Sequence, residues 1–95
     1  MEITKTIDRD SATFKLAGWL DTQTAPEFGA ALDELPEEVV NLTVDCKDLE
    51  YISSAGVRQI VATHKKMESL TLENVSAEIM EVFKLTGIDK RLNIV

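Results

Sequence analysis

Hydrophobic and polar residues alternate in two short runs near the start of the chain. The first run spans residues 3–7 and begins and ends on isoleucine, and the second spans residues 12–17. Alternation with a period of two is typical of a strand that buries one face. Because the polar residues Asp8-Arg9-Asp10 separate the runs, the pattern predicts an antiparallel hairpin whose second strand ends at Gly18.

Helical periodicity replaces alternation in three later segments. The first opens on Thr24-Ala25-Pro26-Glu27, which has the form of a capping box with proline in the first turn, and Pro36 closes it. The second should start at Ser53 or Ser54, and the third lies between Ser76 and Gly87. The predicted inward stripes are Ala25, Phe28, Ala31, Leu32 and Leu35; then Val57, Ile60, Val61 and His64; then Ile79, Val82, Phe83 and Thr86.

The segments between these helices predict the remaining strands. Residues 39–44 are β-branched and nearly continuous in apolar character, which indicates a central strand covered on both faces, and residues 45–52 should form the loop after it. Residues 70–72 and 92–94 predict two further short strands. Strand–helix–strand connections are parallel and right-handed. We therefore expect one compact α/β domain over residues 1–95, with a mixed sheet of four to five strands, an antiparallel N-terminal hairpin strand and about three helices.

Charge and hydropathy narrow the classes of partner. The formal net charge of the 95 residues is −7, from 10 basic and 17 acidic side chains, so a nucleic-acid backbone would be repelled. No apolar stretch approaches the roughly 20 residues that a membrane helix needs. The first five residues contain an acid and alternate in polarity, unlike a signal peptide. We expect a cytoplasmic protein that neither binds nucleic acid directly nor inserts into a membrane.

The few reactive side chains do not assemble a catalytic set. Cys46 and His64 are each the only residue of their type, which excludes an internal disulfide and the usual zinc sites. Cys46 continues a period-two pattern and is interpreted as a small buried residue, with a redox role as the alternative. Ser54 and His64 would lie roughly 15 Å apart along one helix. Asp21 and Asp45 could be paired carboxylates, but no acid or phosphate loop accompanies them. We expect no enzymatic activity, cofactor, metal or small-molecule ligand.

The segment from Asp45 to Arg58 is the most informative part of the chain for function. It should leave a buried strand and enter a helix at Ser54, and the carboxyl ends of strands are where α/β sheets usually meet ligands and partners. A phosphate on Ser54 would be favoured by the helix N-terminus and would add about −1.5 to −2 charge beside Asp21 and Asp45. The alternative is that Ser54 simply caps the helix, which stabilises it by roughly 1 kcal/mol.

Gly56 and two aromatic residues, all in or near this segment, bear on how a partner could bind. Gly56 should allow another backbone or a bulky nucleotide to approach closely. Trp19 and Tyr51 border the two predicted loops and could anchor a partner. Alternatively, both aromatic side chains cover the edge of the core.

Three stretches in chain order resemble the STAS domains (sulfate transporter and anti-sigma factor antagonist). Residues 16–21, Leu-Ala-Gly-Trp-Leu-Asp, resemble the family's L-x-G-E-L-D segment. Residues 44–57 resemble its central signature, which ends in F-I-D-S-S-G-L. Residues 74–89, which run from Asn-Val-Ser to Phe-Lys-Leu-Thr-Gly-Ile-Asp, resemble its closing N-V-S … F-x-L-T-G-L-D. The similarity covers the whole chain, and the central signature is quite specific.

The resemblance implies a partner-switching protein. In the family, the serine at the position of Ser54 is phosphorylated by an anti-sigma factor that is also a serine kinase, and a PP2C-type phosphatase reverses the modification. The unphosphorylated form binds the anti-sigma factor. Two residues depart from the signature, with Ser53 in place of Asp and Ala55 in place of the second Ser or Thr. The residues expected to contact the partner are Asp21, Thr22, Tyr51, Ser53, Ser54, Ala55, Gly56 and Arg58.

Ser53 also motivates an alternative of a different class. In that alternative the chain is a constitutive structural subunit, such as the small cytoplasmic STAS component of a lipid-transport ABC complex, and phosphorylation plays no part.

Overall fold

A computed structural model describes all residues from Met1 to Val95 and contains five strands and three α-helices. None of the helices combines the length and the apolar character needed to cross a bilayer. In chain order the elements are β1 (Glu2–Asp8), β2 (Ser11–Leu20), α1 (Ala25–Asp33), β3 (Asn41–Ile52), α2 (Ser54–Lys66), β4 (Ser69–Glu73), α3 (Ala77–Leu85), a 3₁₀ turn (Ile88–Lys90) and β5 (Asn93–Ile94).

The strands form one sheet in the order β1-β2-β3-β4-β5. β1 pairs with β2 antiparallel, and the pairs β2–β3, β3–β4 and β4–β5 are all parallel. This confirms the predicted α/β class, the mixed sheet of four to five strands and the antiparallel hairpin. Because successive parallel strands are direct neighbours, right-handed crossovers put the connecting helices on the same face of the sheet.

The core lies between that face and the helices. Facing residues on the three central strands are buried in register, and Phe14, Val44 and Leu72 make one such row. Phe28 of α1 packs against Phe14 with ring centroids 5.6 Å apart and an interplanar angle of 76°, an edge-to-face contact. Each of these large apolar side chains stabilises the fold by about 1.5–3 kcal/mol through burial.

The opposite face of the sheet corrects one prediction. Thr13, Thr43 and Thr71 lie side by side in register and are only half-buried. The central strand was expected to be covered on both faces, which is wrong, because no helix lies over this row. A polar, β-branched residue suits such a half-solvated position.

The predicted loop over residues 45–52 is also wrong, since β3 continues unbroken to Ile52. The register with β2 shifts twice, between Lys15 and Ala17 and between Gly18 and Trp19, and each shift places one extra residue on β3. Each extra residue is a β-bulge, and it interrupts the period-two pattern on which the prediction depended. Gly18 lies at the second bulge with φ +102°, and β2 continues past it to Leu20.

Four local predictions about the helices have mixed outcomes. Ser76 caps α3 by accepting a hydrogen bond from the Ile79 N–H at 3.2 Å, and Gly87, with φ 73°, follows the end of α3, so both predictions are confirmed. His64 is exposed and does not continue the apolar stripe of α2. Thr63 occupies the buried position and donates its hydroxyl hydrogen to the Gln59 carbonyl at 2.7 Å. Thr86 is likewise exposed.

Candidate functional site

The site is built where β2 and β3 end together. Trp19 lies opposite Tyr51 and Leu20 opposite Ile52, and the Ser53 N–H donates to the Leu20 carbonyl at 2.9 Å. Side chains alternate between the two faces, so Leu20 and Ile52 are buried while the two aromatic residues face solvent. The pairing of these strands therefore places the two aromatic side chains and the start of α2 at the same edge of the sheet.

Ser53 and Ser54 have different structural roles at the start of α2. Ser53 is the N-cap residue, with extended backbone, and its hydroxyl oxygen accepts the Gly56 N–H at 3.3 Å. Ser54 is the first helical residue and is exposed, and its hydroxyl makes no hydrogen bond within the chain. The interpretation of Ser54 as the helix cap is therefore wrong, because Ser53 supplies the capping oxygen.

Gly56 allows the first turn of α2 to lie against the end of β2. A Cβ atom at this position would be 2.5 Å from the Leu20 carbonyl oxygen and 2.8 Å from Cγ1 of Ile52. Gly56 was expected to allow another backbone or a bulky nucleotide to approach closely. The group that approaches it is the backbone of Leu20 in the same chain. Gly56 itself is buried, and its contact with the end of β2 fixes the position of the two serines that precede it in the chain.

Asp21 lies in a tight hydrogen-bonded turn between β2 and α1. Its Oδ1 accepts the N–H groups of Gln23 at 3.0 Å and Thr24 at 3.1 Å. The Thr24 hydroxyl accepts the Asp21 N–H at 2.8 Å and donates to the Trp19 carbonyl at 2.7 Å. The predicted capping box is wrong, since the Thr24 side chain makes no capping bond to the helix. The hydrogen bond from the Thr24 backbone, followed by weaker ones, lowers the pKa of Asp21 from its ordinary 3.8, which keeps the carboxylate ionised.

The aromatic side chains of Trp19 and Tyr51 pack against each other on the surface. Their ring centroids are 5.4 Å apart, and the side chains are 57% and 48% exposed. The alternative that they cover the edge of the core is wrong. They form one wall of an open depression of about 600 Å³. The depression is lined by Trp19, Asp21, Thr22, Gln23, Tyr51 and Ser53.

Four of the predicted partner-contacting residues line this depression, namely Asp21, Thr22, Tyr51 and Ser53. Ser54 and Arg58 are exposed on α2 one helical turn apart, and Ala55 is half-buried beside them. Gln23 was not predicted. Its only sequence signal is its place between Thr22 and Thr24 in the turn.

Asp45 lies away from this site. It is in the middle of β3, seven residues before the strand ends, which is roughly 23 Å along an extended chain. Its Oδ1 accepts hydrogen bonds from the Asn74 side chain at 3.0 Å and the Lys47 backbone at 3.0 Å, and these lower its pKa. The prediction that Asp21 and Asp45 lie at neighbouring strand ends is therefore wrong.

Cys46 is buried in the core, as its place in the alternation indicated. Burial raises the pKa of its thiol to about 12, because the thiolate would lose its hydration. The thiol is consequently a packing group in the folded protein and takes no part in the surface site.

Comparison with known proteins places this geometry in context. A family model described as "Mlab, STAS domain" matches residues 3–95. The anti-sigma-B factor antagonist of Bacillus subtilis (strain 168) is 32% identical in an alignment that covers 83% of this chain and 76% of that protein.

Solved structures show the same fold. The anti-sigma factor antagonist SpoIIAA of Bacillus, in its unphosphorylated form, superposes with a TM-score of 0.81 at 17% identity, over 99% of this chain and 88% of that one. An anti-sigma factor antagonist from Mycobacterium paratuberculosis has a TM-score of 0.80 at 21% identity, over 98% and 83% of the two chains. At such identities the structures establish the fold alone.

Proposed function

This chain belongs to the STAS domain family, and on that basis we propose that it is an anti-sigma factor antagonist. In this role it binds an anti-sigma factor, which then releases its sigma factor, and it does so in the cytoplasm. The relative that is 32% identical bears the name of this function, which supports the proposal. The chain acts by binding and not by catalysis.

The proposed binding surface is the rim of the depression together with the exposed face of the first turn of α2. Asp21, Thr22 and Tyr51 contribute from the strand ends, and Ser54 and Arg58 contribute from the helix. Ser53 and Gly56 hold the helix start in place through the cap and the close contact with Leu20. A rigid scaffold of this kind lowers the conformational cost of binding a partner.

Phosphorylation of Ser54 is the proposed switch. The observation that carries this proposal is the exposed Ser54 hydroxyl, which has no hydrogen-bond partner in the chain. A phosphate would add about −1.5 to −2 charge and three acceptor oxygens to the proposed binding surface, which also carries the ionised Asp21. It would repel acidic groups of the partner and prevent close packing. SpoIIAA, which shares the fold, has a phosphorylated form.

In the proposed cycle, the anti-sigma factor is itself the serine kinase, and a PP2C-type phosphatase removes the phosphate. The test incubates the protein with the anti-sigma factor and ATP and maps the modification by mass spectrometry. We expect one phosphoryl group on Ser54, none in Ser54→Ala, and retained phosphorylation in Ser53→Ala as the matched control. Ser54→Asp should weaken binding of the anti-sigma factor about tenfold. Binding of equal strength by wild type and Ser54→Asp would contradict the switch.

A second candidate is a constitutive structural subunit of an ABC-type transport complex. One observation favours it: Ser53 stands where the family signature has Asp. In this case an ATPase and a permease should co-purify with the chain from its own cells. Their recovery should be the same for wild type and Ser54→Asp, whereas the anti-sigma proposal requires no such complex.

A further inference from the structure

The two aromatic side chains at the depression contact each other and are not part of the buried core. Trp19 and Tyr51 are the only tryptophan and the only tyrosine of the chain, and about half of each side chain remains in contact with solvent. The cross-strand pairing fixes both rings beside each other, so little side-chain entropy remains to be lost on binding. Rigid, half-exposed Trp and Tyr side chains are the types that most often anchor a protein partner.

The charge beside the pair indicates what the anchor binds. Asp21 is the only charged residue among the six that line the depression, and two backbone N–H groups hold its Oδ1 in place. No lysine or arginine lines the depression, and the chain carries a net charge of −7. An aromatic face next to a fixed carboxylate attracts a cation, because the ring quadrupole and the carboxylate both favour positive charge. A flat cation can in addition stack on the ring.

We propose that Trp19, Tyr51 and Asp21 form a receptor for an arginine side chain of the protein partner. The guanidinium plane would stack on an aromatic ring while its N–H groups donate to the carboxylate of Asp21, a combination that a lysine ammonium cannot make. This inference rests on the proposed function, because the arginine belongs to the partner that the binding surface takes. The aromatic pair then determines which partners fit, because a partner without arginine at this point leaves the pair and the carboxylate unmatched.

The test uses a tetra-arginine peptide as the probe and a tetra-lysine peptide of the same charge for comparison. Because the chain has one tryptophan, a single indole Nε1–H resonance in the NMR spectrum reports on the depression. We expect saturable shifts, with the arginine peptide binding about threefold more tightly than the lysine peptide. Tyr51→Leu and Asp21→Asn should each weaken the arginine peptide about threefold, and Tyr51→Phe should keep the affinity because the ring remains.

Glu37→Gln is the matched control for loss of one negative charge. Glu37 is exposed and precedes the start of β3, so it lies at the opposite end of the strand from the depression, and its substitution should leave binding unchanged. Equal affinity for the two peptides, or equal weakening by Glu37→Gln and Asp21→Asn, would overturn the arginine receptor. Either result would mean that the peptides respond only to overall charge.

The peptide titrations, together with the anti-sigma factor binding assay described above, separate this inference from the proposed function. Binding of an anti-sigma factor without any preference for the arginine peptide would overturn the receptor and leave the proposed function standing. A clear preference for arginine without binding of an anti-sigma factor would support the receptor and contradict the proposed function.

Discussion

Replacement of Gly56 by alanine is the sharpest test of how the start of α2 is held. The added Cβ would lie 2.5 Å from the Leu20 carbonyl oxygen, 2.8 Å from Cγ1 of Ile52 and 3.0 Å from Cγ of Leu20. The nearest of these atoms belongs to the backbone of a paired strand, so it cannot move aside cheaply. Overpacking of this kind costs about 1–3 kcal/mol, and a backbone contact belongs at the upper end of that range.

An opposing term must be subtracted from that cost. Alanine is favoured over glycine within a helix by about 0.5–1 kcal/mol. We therefore expect Gly56→Ala to lower the free energy of unfolding by about 2 kcal/mol. For a domain of this size that corresponds to a fall in Tm of about 8–16 °C.

Gly29→Ala is the matched control, since Gly29 lies inside α1. A Cβ there would meet nothing nearer than the Gln59 side chain at 3.8 Å, which is ordinary van der Waals contact. This variant should therefore gain about 0.5–1 kcal/mol from helix propensity alone. Urea unfolding followed by far-UV circular dichroism measures both variants. A Gly56→Ala midpoint at or above that of wild type, with an unchanged m-value, would refute the close approach of α2 to β2.

Other substitutions test the remaining parts of the site and the core. Ser53→Ala should cost about 1 kcal/mol in urea unfolding through loss of the cap, whereas Ser54→Ala should change stability by less than about 0.5 kcal/mol, and equal losses would contradict the assignment of the cap. The lowered pKa of Asp45 stabilises the fold at pH values above the ordinary aspartate pKa of 3.8, and this stability is lost as the pH falls through the folded-state pKa. Asn74→Gly removes the hydrogen bond to Asp45, so it should raise the Asp45 pKa in a carboxyl NMR titration. The free energy of unfolding of this variant should then fall less steeply with acid. Cys46 should resist a thiol reagent in the native protein at pH 8 and react in urea, and rapid native labelling would contradict its burial.

Much of the fold follows from local patterns in the chain. The hairpin turn at Asp8-Arg9-Asp10, the cap at Ser76 and the termination after α3 at Gly87 each depend on neighbouring residues, and all three agree with the structure. The element order then determines the parallel pairing, because short crossovers of one hand leave few alternatives. The resemblance to the STAS family, read from three short stretches, is confirmed by the family model over residues 3–95.

The tertiary structure decided the features for which the local pattern was ambiguous or interrupted. Two bulges disrupt the alternation within β3, so residues 45–52 were predicted as a loop, and only pairing with β2 shows a strand that moves Asp45 away from the site. Either of two adjacent serines could cap α2, and only the structure shows that the Ser53 hydroxyl accepts the Gly56 N–H.

The aromatic pair is another feature that the local pattern left undecided, in this case because the two residues are far apart in the chain. The positions of Trp19 and Tyr51 beside predicted loops suggested a partner anchor, but their exposure and mutual contact depend on the register between β2 and β3. Sequence by itself therefore determined the order of the elements and the family of this protein, because those depend on local periodicity and on a specific signature. Only the three-dimensional pairing of the strands decided which side chains share the depression, because that depends on contacts between residues far apart in the chain.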